Sequence, residues 1–246
     1  MFRKKTFLYA QGIGPLTNRL LRWLTATILG RMSALTFRDE ESKDFIHRLG
    51  VKHSLLKTTA DPVFSLGLPS PPEKFVEKKH FGFVFRKITP QEQKIWAETI
   101  GQIQQKLDVE TILIPFQQSE DYPIAEKIIQ LMKTKVKLFQ WTNLNQLIGI
   151  FASLDLVIAM RLHALILGLL NEKVVIGIGD EPKIVSLLDA FGLPVISHKI
   201  FSPEYLSNSI VHLWQEQEKY QSSIREKIPF YREKAKRTAE LALQLI

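Results

Sequence analysis

The sequence predicts an α/β protein built from parallel, doubly wound sheets of the Rossmann type. Short β-rich runs alternate with helical patterns along most of the chain, as they do in strand–helix–strand units. The composition is that of a globular protein, with 45% hydrophobic and 24% charged residues, so a disordered or low-complexity chain is excluded. The length of 246 residues allows one large domain or two small ones.

The N-terminal part shows this pattern in a short form. It predicts strands at 7–10 and 34–37, a third strand ending near Thr59, and helices at 16–29 and 43–49. The proline-rich stretch 66–72 predicts a linker. Three strands are few for a doubly wound domain, so we expect residues 1–72 to form an incomplete N-terminal lobe with an exposed sheet edge.

The rest of the chain predicts a larger lobe over residues 73–215. Its strands are expected at 81–85, 111–115, 136–139, 156–159 and 174–177, and its helices at 90–107, 122–132, 144–153, 162–170 and 183–191. Two helical patterns follow Ser202, and residues 216–246 are predicted to form a basic helical extension.

Charge and cysteine content narrow the function classes. There is no Cys, which excludes disulfides and thiolate metal ligands and favours a reducing compartment. The apolar start is too short for a signal peptide, and charged residues interrupt the long apolar stretch 147–170, so we expect a cytoplasmic protein without a membrane span. The net charge of +8 suits nucleic acid, an anionic membrane or an anionic substrate, and composition does not choose among them.

Polar residues follow most of the predicted strands. Ligands of open parallel sheets bind beyond the carboxyl ends of the strands, so these residues are the candidates for a site. Singly, each is explained as a turn residue, a helix cap or a surface charge. The set comprises Gln11, Gly12, Gly14, Arg38, Asp61, Arg86, Gln117, Asp121, Arg161, His163, Asp180 and Lys183.

Arg161 and His163 are the most informative of these residues. They lie between an apolar strand and an apolar helix, where a helix N-terminus already attracts anions. The alternative for His163 is a core histidine bonded to a backbone carbonyl. A metal site is not expected, because no second His stands at ligand spacing.

Lys183 and Arg38 are cations with little structural explanation in the sequence. Lys183 opposes the dipole at the start of a helix that Asp180 is predicted to cap, and an anionic ligand would resolve that conflict. Arg38 precedes an acidic helix start in which Asp39 and Glu40 serve as cap and first turn. Arg86 ends a strand and is also explained by an anionic ligand. The alternative for Arg86 is a salt bridge to the linker.

Six motifs occur in a familiar order and spacing. They are YAQGIGP (9–15), FRDEES (37–42), TADP (59–62), PFQQSED (115–121), MRLHAL (160–165) and DEPK (180–183). With these motifs, the chain resembles the polysaccharide pyruvyl transferases, particularly the CsaB type, from about Leu8 to about Leu193. Family members usually carry a Gly-rich, Asn-containing segment ahead of the first motif, and here only ten residues precede Gln11.

The resemblance implies a fold like that of GT-B glycosyltransferases, with a site in the cleft between two lobes. It implies transfer of the enolpyruvyl group of phosphoenolpyruvate to two hydroxyls of a cell-wall or exopolysaccharide sugar, free or lipid-linked, as a cyclic ketal. It also implies that Arg38, His163 and Lys183 are catalytic. The other candidates apart from Asp180 are predicted to bind substrate, and neither a metal nor a cofactor is expected.

Two other interpretations of the function remain open. The same strand-end residues suit a GT-B glycosyltransferase that uses a nucleotide sugar. The short N-terminal lobe suits a non-catalytic remnant. A nucleic-acid partner is not expected, because the basic C-terminal helix lacks interleaved aromatic residues. The helix at 16–29, with Arg19, Arg22 and Trp23, suits either core packing or peripheral contact with the inner membrane surface.

Overall fold

The computed structural model describes residues 4–14, 16–71, 78–197 and 202–245. Pro15 of the first motif and Pro72 at the end of the predicted linker lie outside these ranges. Contacts within the chain divide it into an N-terminal unit, Met1–Leu66 with Ile228–Ile246, and a C-terminal unit, Gly67–Lys227. The predicted division at residues 72 and 215 stays a prediction.

The N-terminal unit contains a three-stranded parallel sheet. Its elements are β1 (Phe7–Gln11), α1 (Arg19–Leu29), β2 (Ala34–Phe37), α2 (Glu40–Arg48), β3 (Leu56–Thr58) and a 3₁₀ turn at Pro62–Ser65. The strand order is β1-β2-β3, so β1 lies at one edge. Its buried core is formed by Leu29, Leu35, Phe37, Ile46 and Val51.

Caps set the starts of both helices in this unit. The Asn18 side chain accepts hydrogen bonds from the backbone N–H groups of Leu20 and Leu21, so α1 begins three residues later than the apolar pattern suggests. Asp39 accepts from the N–H of Ser42 at 2.7 Å, which confirms the predicted cap and starts α2 at Glu40 rather than at residue 43.

The C-terminal unit contains a six-stranded parallel sheet. Its strands are β4 (His80–Val84), β5 (Glu110–Leu113), β6 (Lys137–Leu138), β7 (Leu156–Ala159), β8 (Val174–Ile178) and β9 (Val195–Ile196). Its helices are α3 (Pro90–Leu107), α4 (Gln118–Leu131), α5 (Leu144–Ile150), α6 (Leu162–Leu170), α7 (Pro182–Phe191) and α8 (Pro203–Gln215). A short 3₁₀ turn, Phe151–Ser153, follows α5.

The strand order is β6-β5-β4-β7-β8-β9. The chain builds one half of the sheet outward from β4, then returns to β7 beside β4 and builds the other half. This is the order of the Rossmann fold, with its switch point between β4 and β7. The predicted α/β class and doubly wound topology are therefore confirmed. The switch point is where such a sheet leaves a crevice for ligands.

The last helix, α9 (Gln217–Leu243), begins in the C-terminal unit and ends in the N-terminal unit. In the former, the Ser223 hydroxyl donates to the carbonyl of Phe191 at 2.7 Å. In the latter, the Thr238 and Thr59 hydroxyls lie 2.6 Å apart. Across the described ranges, we find no helix with the length and apolar character needed to cross a bilayer.

Candidate functional site

A cavity of about 290 Å³ opens at the switch point of the six-stranded sheet. Arg86 and Lys87 line it from the end of β4, and Met160 lines it from the end of β7. The remaining lining residues, Ile178, Gly179 and Glu181, come from the end of β8 and the loop that leads into α7. The cavity therefore occupies the position that the topology provides for a ligand.

One carboxylate serves two cations beside this cavity. The Glu181 carboxylate pairs with a guanidinium nitrogen of Arg86 through one oxygen and, through the other, with Lys183 Nζ at 2.9 Å. Lys87 forms no ion pair with any residue in the described part of the chain. Three cations thus lie at or beside this cavity, whose lining includes one carboxylate, and this leaves a positive excess suited to an anion.

Three interpretations from the sequence are corrected by the contacts in and around this loop. Asp180 was expected to cap α7, but the N-cap residue is Glu181, no side chain caps the helix, and Asp180 accepts a hydrogen bond from Ser197. Lys183, which had no partner in the sequence analysis, has one in Glu181. Arg86 likewise pairs with Glu181 and not with the linker.

His163 is the second residue of α6, and its position excludes the core-histidine alternative. The other eight residues of α6 are buried, whereas His163 is exposed. It lies in the first turn, where backbone N–H groups lack intrahelical acceptors, and the N-cap residue Arg161 provides no side-chain cap. An exposed imidazole at this strand-to-helix junction can exchange protons with a bound molecule.

Arg161 points its guanidinium at Asp121 instead of leaving it free for a ligand. Its Nε and Nη2 donate to the two oxygens of Asp121 at 2.9 and 2.5 Å, a bidentate pair. Asp121 is 2% exposed and also accepts from the backbone N–H of Gln117 at 2.7 Å. These three candidates hold the start of α4 to the start of α6, so the geometry favours positioning over direct binding.

The N-terminal unit brings another group of candidates together. Arg38 Nη1 lies 3.0 Å from an Asp61 carboxylate oxygen, and its Nε lies 3.5 Å from Asp39. The guanidinium also covers Gly12, where a Cβ would stand 2.6 Å from Arg38 Nε and 2.7 Å from Nη2. Glycine at this position is therefore required for the observed placement of Arg38.

A bulge in β1 sets the direction of the backbone at Gln11. Ala10 has a φ of 44°, an uncommon conformation for a residue other than glycine. The buried Thr36 hydroxyl fixes it, accepting from the Ala10 N–H at 2.8 Å and donating to the Leu8 carbonyl at 2.9 Å. Gly14, whose φ is 148°, continues the turn with a conformation that favours glycine.

The eleven candidates that were predicted to be catalytic or to bind substrate divide between the two units. Gln11, Gly12, Gly14, Arg38 and Asp61 belong to the N-terminal unit, and the other six belong to the C-terminal unit. Four of them are cations, and each pairs with a carboxylate of its own unit. The sequence had suggested that these cations surround an anionic donor. Among the described residues, Lys87 is instead the switch-point cation that has no ion pair.

The family model of the polysaccharide pyruvyl transferases matches residues 1–182. The chain belongs to this family. Ten of the eleven candidate residues fall within the matched segment of this pyruvyl transferase family member, and Lys183 follows it directly. A search of curated proteins gives no match.

Solved structures resemble this pyruvyl transferase family member in fold. A protein assigned as a UDP-N-acetylglucosamine 2-epimerase from Listeria monocytogenes gives a TM-score of 0.73 at 12% identity, covering 96% of this chain and 66% of its own. TarM gives a TM-score of 0.57 at 13% identity, and the match covers 97% of this chain and 49% of TarM. Anabaena HepE in complex with UDP-glucose gives a TM-score of 0.63 at 15% identity, and the match covers 98% of this chain and 73% of HepE. The fold is thus GT-B-like, and the chain spans between half and three quarters of these structures.

Several cavity-lining residues of the C-terminal unit were not among the candidates predicted from the sequence. Lys87 directly follows Arg86 at the end of a strand, and this position could have identified it as a candidate. Glu181 lies in the last motif but was given no partner.

A second, uncharged cavity of about 620 Å³ was also missed; it lies beside α4 and includes Tyr122 and Trp141. The Trp141 indole N–H donates to the Pro115 carbonyl at 2.7 Å, which fixes the orientation of this ring at the cavity wall.

In the described ranges, no group of three His, Asp or Glu side chains is arranged to hold a metal ion.

Proposed function

We propose that this protein transfers the enolpyruvyl group of phosphoenolpyruvate to two hydroxyls of a cell-wall or exopolysaccharide sugar, releasing phosphate and forming a pyruvate ketal. Family membership supports the reaction class. The observation that carries the donor assignment is the cavity at the switch point, where Arg86 and Lys183 share the single carboxylate of Glu181 and Lys87 lines the same cavity. Phosphoenolpyruvate carries both a phosphate and a carboxylate, so it suits this excess of cations.

The start of α7 adds to the attraction for an anion. No side chain caps this helix, so its first N–H groups are open to an acceptor, and the helix dipole favours negative charge there. Glu181 competes with the donor for Arg86 and Lys183. We propose that donor binding draws these two cations from Glu181 to the phosphate and the carboxylate.

The proposed chemistry needs one proton on the methylene carbon of phosphoenolpyruvate. Protonation there develops positive charge on the neighbouring carbon, which the first sugar hydroxyl attacks. The second hydroxyl then displaces phosphate from the same carbon and closes the ring. Of the two protons that the hydroxyls lose, one balances the proton gained by the methylene carbon and the other leaves with phosphate. His163, exposed at the start of α6, is the proposed proton-transferring group.

Arg38 is proposed as a further catalytic cation. Its guanidinium is held by Asp61 and covers Gly12, and its side chain is 21% exposed, so an outer edge remains accessible. An arginine with this support can stabilise negative charge as it develops in a transition state. The absence of Cys from the sequence agrees with a cytoplasmic protein, which we include in the proposal.

A binding measurement on the full chain tests the donor assignment without knowledge of the acceptor. Equilibrium dialysis with radiolabelled phosphoenolpyruvate should show saturable binding that Lys183→Met weakens by about 10-fold or more, the effect of losing one charged hydrogen bond. Lys94→Met, an exposed lysine of α3, is the matched control and should bind like the wild type. Equal binding by wild type and Lys183→Met would contradict the donor assignment.

A nucleotide-sugar glycosyltransferase is the second candidate, because a switch-point cavity with excess cations also suits a diphosphate. The dialysis experiment separates the two proposals when unlabelled UDP-glucose is added as competitor. The pyruvyl transferase proposal expects little displacement of phosphoenolpyruvate at equal concentration. Strong displacement, together with weak binding of phosphoenolpyruvate alone, would favour the glycosyltransferase.

A further inference from the structure

The net positive charge of the chain is concentrated at its beginning. Residues 1–38 contain seven Lys or Arg residues and neither Asp nor Glu. The remaining residues contain 26 Lys or Arg and 25 Asp or Glu, which is close to balance. Almost all of the net charge of +8 therefore belongs to the segment that forms β1, α1 and β2.

Helix α1 turns its apolar stripe away from the core of its unit. Leu20, Leu24 and Ile28 follow one another at four-residue spacing and so lie on one face of the helix. They are 62%, 38% and 59% exposed. The opposite side of the helix supplies Leu29, its buried residue, to the core. In a helix that packs on a globular core, the apolar face is the buried one.

Two more large apolar residues enlarge this surface. Leu21 and Trp23 are both at least half exposed, and Tyr9 is partly exposed on the edge strand β1. We call Leu20, Leu21, Trp23, Leu24 and Ile28 the α1 surface. Single exposed apolar residues need no explanation, but a contiguous group of this kind indicates a contact with a partner.

The charges around the α1 surface indicate which kind of partner it contacts. Arg19 and Arg22 lie on α1 itself, Arg31 follows directly after it, and Lys4 and Lys5 precede β1. No carboxylate occurs in this segment to oppose an anionic partner. A helix with Leu, Ile and Trp on one face and Arg on the other side is typical of helices that lie in the headgroup region of a bilayer. Each basic residue near such a surface adds attraction to anionic lipid.

We propose that the α1 surface docks on an anionic membrane, with Leu20, Leu24 and Ile28 entering the interface and Arg19 and Arg22 meeting lipid headgroups. This would hold the N-terminal unit at the membrane surface. The inference is independent of which donor the protein uses, since it rests on residues outside the switch-point cavity.

Flotation of the full chain with lipid vesicles tests this inference. Vesicles of phosphatidylcholine with phosphatidylglycerol should carry the protein upward, and vesicles of phosphatidylcholine alone should carry at least 10-fold less. Added salt should weaken the binding, because it screens the charges. The fluorescence of Trp23 should shift to shorter wavelength on binding, and a Trp23→Phe variant should lose that shift.

Two variants separate the apolar and charged contributions. The triple change Leu20→Ser, Leu24→Ser and Ile28→Ser, and the double change Arg19→Gln and Arg22→Gln, should each reduce binding at least 10-fold. The matched control is Leu144→Ser, which alters a leucine of α5 that is 65% exposed, and it should bind like the wild type. Circular dichroism of each variant checks that the fold is retained, as expected for exposed positions.

Three results would overturn the proposal. The first is wild-type protein that stays unbound with the anionic vesicles. The second is undiminished binding by the serine and glutamine variants. The third is a dimer in light scattering that the serine variant dissociates while vesicle binding is absent, which would make a second copy of the chain the partner.

Discussion

Replacing Asp121 by alanine removes the carboxylate that joins the start of α4 to the start of α6. In the wild type, this carboxylate accepts two hydrogen bonds from Arg161 and one from the Gln117 N–H. The variant leaves Arg161, whose side chain is only 16% exposed, without its main counter-ion. If Asp121 were chiefly a ligand-binding residue, its loss would instead reduce affinity and leave stability nearly unchanged.

The expected cost follows from the burial of the pair. Removing one partner of a buried ion pair costs about 3 to 5 kcal/mol, because the remaining charge is left uncompensated. The carboxylate of Glu120 lies 3.6 Å from Arg161 Nη2 and can replace part of the lost interaction. We therefore expect Asp121→Ala to lower the free energy of unfolding by about 3 kcal/mol, the lower end of that range.

Urea unfolding followed by circular dichroism measures this cost. A double-mutant cycle with Arg161→Met should show coupling, the double variant being less destabilised than the sum of the single variants. Glu126→Ala, at an exposed position of the same helix, is the matched control and should change stability by about 0.5 kcal/mol or less. A loss below about 1 kcal/mol for Asp121→Ala, or additive effects, would refute a positioning role for this pair.

Two further predictions concern the other groups of candidates. Gly12→Ala places a Cβ 2.6 Å from Arg38 Nε, so the guanidinium must shift against Asp61, and because it is the end of a flexible side chain, urea unfolding should show a loss of about 1 kcal/mol. Gly67→Ala, whose Cβ meets nothing within 4 Å, is its control, and equal stability of the two variants would contradict the packing argument. Glu181→Gln keeps the shape of the side chain but removes the charge that competes for Arg86 and Lys183, so dialysis should show phosphoenolpyruvate bound several-fold more tightly. Weaker binding by this variant would show that Glu181 assists the donor.

Much of the fold could be predicted because its signals are local. The alternation of strands and helices, the Asp39 cap and Pro182 at the start of α7 all depend on residues near in sequence. β9 was missed because Pro194 directly precedes its two residues and no longer β-rich run surrounds them, whereas the equally short β6 lies within the β-rich run 136–139. The switch point required the strand order, which follows from pairing between strands distant in sequence.

The site was less predictable, because the partners of its charged residues come from elsewhere in the fold. Arg38 and Arg161 seemed unexplained cations, yet Asp61 and Asp121 lie beside them only after folding. Lys183 differs, because its partner Glu181 is only two residues away. This pair was not predicted, because Lys183 was judged only by its position against the helix dipole. The exposure of His163 depended on how α6 is rotated against the sheet, which its almost wholly apolar sequence does not reveal.

The most direct test of the proposed function is transfer of label from the donor. The full chain is incubated with cell-wall disaccharides and either phosphoenolpyruvate labelled in its three carbons or a UDP-sugar labelled in the sugar. The proposal predicts that carbon from phosphoenolpyruvate enters the acceptor as an acid-labile ketal, with one phosphate released per pyruvyl group, and that His163→Ala abolishes both. Incorporation from the UDP-sugar with none from phosphoenolpyruvate, or full activity of His163→Ala, would contradict it.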